Sequence, residues 1–85
     1  MKFLVGTLCG GLMKDPELYI QPPYLIIDAK SKGEVINRYN GKTHAHFFYG
    51  DVIARINNDK LEDISKYVSE KQAYDIYNEV LKNPL

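Results

Sequence analysis

Thirteen consecutive residues from His44 to Ile56, HAHFFYGDVIARI, limit what this chain can fold into more than any other segment. They carry both histidines and no proline, and they alternate in the manner of one long β-strand. One face would present Ala45, Phe47, Tyr49, Asp51, Ile53 and Arg55, and the other His46, Phe48, Gly50, Val52, Ala54 and Ile56. Both faces are largely apolar, so both need cover. A strand of that kind belongs at the centre of a layered structure or at an interface.

The rest of the chain supplies modest means of covering it. Eighty-five residues make one domain, spanning 1–85. A domain of this size buries only about 60% of the surface its unfolded chain exposes. Small domains compensate with disulfides, a metal or association. The single cysteine, Cys9, excludes an internal disulfide, and one cysteine with two histidines is too few for a closed structural zinc site. Association remains, so a homo-oligomer is expected.

Along the chain, Lys2 to Cys9 reads as a first strand, interrupted by Gly10-Gly11. Residues 10–22 read as a long connection with Asp15-Pro16 and Pro22-Pro23, or equally as a hairpin whose second arm already begins at Leu18 to Ile20. Tyr24 to Ala29 forms a second strand, with the proline pair at its start because proline has no ladder donor. Ser31-Lys32-Gly33-Glu34 fits a capping box: the Ser31 hydroxyl would accept from the Glu34 amide, and the Glu34 carboxylate would accept from the Ser31 amide. Val35, Ile36 and Tyr39 then mark the apolar face of a first helix, which Asn40-Gly41 should end.

After the long strand, Asn57-Asn58-Asp59 breaks the pattern. Asp59 and Glu62 form a second capping pair, with Leu61, Ile64 and Val68 spaced for a helix. Ser69 and Gln72 form a third, followed by the stripe Ala73, Ile76, Tyr77, Val80 and Leu81 and a stop at Asn83-Pro84. The expected order is β-β-α-β-α-α. The expected fold is α+β: a small three-stranded mixed or antiparallel sheet, strand one between two and three, with the helices packed on one face. That arrangement leaves the longest strand at an edge, which invites pairing with a second chain.

Charge excludes some partners. Eleven basic and eleven acidic side chains cancel, so no overall field attracts DNA, RNA or an anionic membrane. Local bias survives: residues 28–42 hold four cations against two acids, and residues 59–82 hold six acids against four lysines. The N-terminal run Met1 to Leu8 begins like a signal peptide, but its apolar character ends too soon, and no segment reaches the roughly 20 apolar residues of a membrane helix. A cytoplasmic, reduced environment, where a lone thiol is ordinary, is the expectation.

Four constellations bear on chemistry. His44 and His46, at i and i+2 on one strand face, could share a metal with Cys9, but no fourth ligand offers itself, so no metal is expected. Cys9 with a histidine and Asp28 or Asp51 could form a nucleophilic site, yet a free cysteine is most often a small buried hydrophobe. Gly41-Lys42-Thr43 imitates the end of a phosphate loop in the wrong context, after a helix and before a strand. The N-terminus of the first helix, with Lys30, Ser31, Lys32 and Arg38, is the better anion site, and a phosphate could dock there.

Seven tyrosines in so short a chain are the compositional oddity. Tyrosine joins apolar area to a polar tip and is enriched at interfaces. Tyr19 and Tyr24 flank Pro22-Pro23, and these four, with Phe47 and Tyr49, are the expected contact residues. The segment lacks the spacer of a Pro-Pro-x-Tyr ligand.

The function expected from these features is a non-catalytic, homo-oligomeric binding protein acting by protein–protein interaction, without a cofactor. A second expectation is a binder of a nucleotide or phosphorylated small ligand held between subunits. A small Cys/His enzyme ranks third. In size and character the chain resembles the small accessory proteins of phages and mobile elements, which include inhibitors of host defence enzymes and proteins that sequester signalling nucleotides. No motif carries that resemblance, so it assigns no role to any residue.

Overall fold

The computed structural model describes residues 1–9, 19–43 and 49–83. Its elements are β1 (Lys2–Cys9), β2 (Tyr19–Asp28), α1 (Lys32–Thr43), β3 (Tyr49–Asn57), β4 (Lys60–Glu62) and α2 (Glu70–Lys82). The four strands form one sheet in the order β2-β1-β3-β4, with every neighbouring pair antiparallel. The fold is therefore α+β with β1 between β2 and β3, as expected, but with four strands rather than three.

The second difference is the segment expected to be a helix between Asp59 and Val68. It is instead a tight hairpin into β4 followed by irregular chain. Asn58 and Asp59 have φ of 49° and 66°. Positive φ at both central residues of a two-residue loop is what a primed hairpin turn requires, and Asn and Asp tolerate it. An N-cap needs extended φ, so Asp59 cannot serve as one. Glu62, its supposed capping partner, instead accepts from Arg55 Nη2 at 2.6 Å and Asn57 Nδ2 at 3.1 Å. Leu61, Ile64 and Val68 still reach the core, but from extended and looped backbone.

A third correction concerns the layers. Alternate residues of β1 point to opposite faces, and each face has its own helix. Phe3 and Val5 cluster with Ile27, Ala29, Val52 and the α1 residues Val35 and Tyr39. Leu4 clusters with Ile20, Ile53, Ala54, Leu61 and the α2 residues Ala73 and Tyr77. The helices thus cover both faces of the sheet, not one. The two-sided apolarity of β1 and β3 demands this arrangement. A bulge helps: register shifts between Leu4 and Val5, so the extra residue Ile53 joins Ala54 on the α2 side.

The described part of the long strand runs from Tyr49 to Asn57, and His44 to Phe48 lie outside the described residues. β3 is covered along its last residues by β4, paired through Arg55↔Glu62, Ile56↔Leu61 and Asn57↔Lys60. β2 starts at Tyr19, in line with the second of the two readings of residues 10–22, so Pro22-Pro23 lies within it rather than at its start. The pair sits where register shifts between Val5 and Thr7, in a bulge opposite Gly6 that asks for no ladder donor.

Both helices follow local rules, with one exception at each end of α1. Ser69 caps α2 through a full capping box, its Oγ accepting from Gln72 N at 3.1 Å and its amide donating to Gln72 Oε1 at 2.8 Å. The Ser31 hydroxyl accepts from the Glu34 amide at 3.3 Å, but the Glu34 carboxylate accepts from the Lys30 amide at 3.0 Å rather than from Ser31. At its other end, α1 does not stop at Asn40-Gly41 but continues to Thr43. The Asn40 side chain is turned away to accept from the Gly50 amide of β3 at 3.0 Å.

Candidate functional site

The outer strand of the sheet, β2, is where the expected contact residues gather. Tyr19, at its start, is 51% exposed. Pro22 and Pro23 are exposed on the bulge. Two contacts fix this bulge. From the α1 side, the buried Tyr39 hydroxyl donates to the Pro23 carbonyl at 2.6 Å. From the other, Gly6 lets Ile20 and Tyr24 approach, since a Cβ on Gly6 would lie 2.5 Å from Ile20 Cγ2 and 3.0 Å from Tyr24 Cδ1.

Tyr24 is half-buried among residues of the α2-side cluster, so it is less available than Tyr19. Burial, then the nearby Glu79 carboxylate, pushes its hydroxyl pKa up. The register aligns Ile20, Leu8 and Tyr49 across three strands, so the backbone of Tyr49 shares one end of the sheet with Tyr19. Phe47 lies outside the described residues.

The expected anion residues meet at the start of α1, with a carboxylate among them. Arg38 donates to Glu34 Oε1 and to the Asp28 carbonyl, both at 2.6 Å. Glu34 therefore joins the Lys30 amide, the helix N-terminus and Arg38 into one internal network. A carboxylate there occupies the place where an anion gains from the helix dipole. Lys30 and Lys32 are exposed and form no ion pair among the described residues.

Cys9 is 3% exposed, at the end of β1. His44 and His46 lie outside the described residues, and among the described residues no three His, Cys, Asp or Glu side chains gather as metal ligands. No described helix is long and apolar enough to cross a membrane.

One further site had no sequence signal. A groove of about 450 Å³ opens beside the last turn of α2, lined by Lys2, Ile26, Ile56, Asn58, Asp59, Tyr77 and Leu81. These come from three strands, a turn and a helix, and they meet only because α2 covers this face of the sheet. Tyr77 donates to Asp59 Oδ1 at 3.3 Å. Burial first, and the Asp59 charge second, push the Tyr77 pKa up. Comparison of the chain with protein-family models, curated proteins and solved structures finds no match.

Proposed function

We propose that this chain is a small non-catalytic binding protein that acts by protein–protein contact and self-associates through the β2 edge. The observation that carries this reading is that β2 ends the sheet and, among the described residues, seven of its ten residues pair with β1 on one side only. An open edge is a template for a strand from another chain. Tyr19 and the proline pair add exposed apolar area beside it, and the Tyr39 and Gly6 contacts hold its bulge in one shape, which lowers the ordering cost of docking.

Phosphate binding at α1 has weaker support, because Glu34 already engages Arg38 and the Lys30 amide. Native mass spectrometry at micromolar concentration tests self-association, and co-purification from host cells tests for a second protein. An oligomer that becomes monomeric in Tyr19→Lys with Pro22→Asp, with circular dichroism unchanged, is the expected result. A native monomer with no co-purifying protein overturns the reading.

A further inference from the structure

The groove beside α2 combines an apolar floor with one cation, Lys2, and one carboxylate, Asp59. Ile26 and Ile56 form the floor, and Leu81, 55% exposed, stands at its side. Lys2 lies on the same face of β1 as Leu4 and is paired in register with Ile56. Asp59 is held by the left-handed turn and by the Tyr77 hydroxyl. Although both line one groove, Lys2 and Asp59 form no ion pair with each other. The cation and the carboxylate each face a space that a third group could fill.

That charge pattern selects among ligands. The lining is neutral, with one cation and one anion, so a phosphate would meet an opposing carboxylate and a simple amine an opposing ammonium. A zwitterion satisfies both. A volume of about 450 Å³ accommodates a small molecule with an aliphatic side chain.

We infer that the groove binds a free apolar α-amino acid, its ammonium on Asp59, its carboxylate on Lys2 and its side chain on Ile26, Ile56 and Leu81. The site is separate from the exposed bulge of β2 and goes beyond the protein–protein reading. Amide chemical-shift titration of the full chain with L-leucine at millimolar concentration tests it. Saturable shifts at Lys2, Ile26, Ile56, Asn58, Asp59, Tyr77 and Leu81 are expected. Blocking either end of the ligand, as N-acetyl-leucine or as leucinamide, should weaken binding about tenfold, as should Asp59→Asn or Lys2→Met. Absence of saturable shifts overturns the assignment. So does leucinamide or N-acetyl-leucine binding as tightly as leucine, or undiminished binding by folded Asp59→Asn and Lys2→Met proteins.

Discussion

The Tyr39 hydroxyl donates to the Pro23 carbonyl at 2.6 Å, joining the middle of α1 to the bulge of the outermost strand. Since that proton goes to Pro23, the Thr7 hydroxyl donates to the same oxygen from β1. Below the hydroxyl, the ring lies on Gly50 of β3. One fully buried side chain therefore touches β1, β2 and β3.

Tyr39→Phe keeps the ring and removes the hydroxyl. The Thr7 side chain, 5% exposed, and the Pro23 carbonyl lose their partner. Urea denaturation should show a loss of about 1–3 kcal/mol. Amide exchange near Pro23 should accelerate more than exchange in α2.

The glycines should respond in opposite directions. A Cβ at Gly50 would lie 2.4 Å from Tyr39 Cδ1, so Gly50→Ala must displace a packed ring and should cost about 1–3 kcal/mol. A Cβ at Gly33 meets only Ser31 Oγ, at 4.0 Å, and one at Gly41 meets nothing. Both lie in α1, so Gly33→Ala with Gly41→Ala should stabilise by about 1 kcal/mol, measured by thermal unfolding.

The hairpin reading of residues 57–62 can be tested at one position. Asp59→Val places a β-branched residue at φ 66° and should cost about 1–3 kcal/mol. Loss of the Tyr77 hydrogen bond adds to this, and Asp59→Asn, which tolerates the turn, separates the two contributions.

Alkaline and acid limits follow from particular groups. Burial raises the Tyr39 pKa above its ordinary 10.0, and Tyr24 and Tyr77 are raised as well. Their folded forms hold the proton longer than the unfolded chain does. Stability is thus intact below pH 10 and falls as pH rises from there through the raised values. Tyr39→Phe should flatten that decline in a pH series of denaturant midpoints. Hydrogen bonds from Asn57 and then Arg55 lower the Glu62 pKa below 4.5. Its contribution is present above that value and is lost as pH falls through the folded pKa, and Glu62→Gln should remove that share of the acid sensitivity.

Much of the architecture was legible in local pattern. The Ser69–Gln72 capping box and the Val35–Tyr39 face of α1 depend on residues three or four apart, and both appear as read. The central place of β1 followed from its connection to β2 and the crossover through α1. The 59–68 segment misled because Asp59, Glu62, Ile64 and Val68 also satisfy a helical template. The choice lay with distant partners: Arg55 takes Glu62, and the Tyr74 hydroxyl accepts from the Leu61 amide at 3.1 Å. At the start of α1, four candidate anion ligands were visible in sequence, but not that Glu34 would already engage Arg38 and the Lys30 amide.

Sequence by itself determined that both faces of the central strands need apolar cover, because alternation along a strand sends neighbouring residues to opposite sides. It also determined where α2 begins, because a cap is a bond between near neighbours. Only the tertiary structure decided that each face would receive its own helix and that Pro22-Pro23 would sit inside an edge strand. It also brought Lys2, Asp59 and Tyr77 around one groove. Those outcomes depend on contacts between residues far apart in the chain, and burial against a shared sheet selects them where short-range preferences are silent.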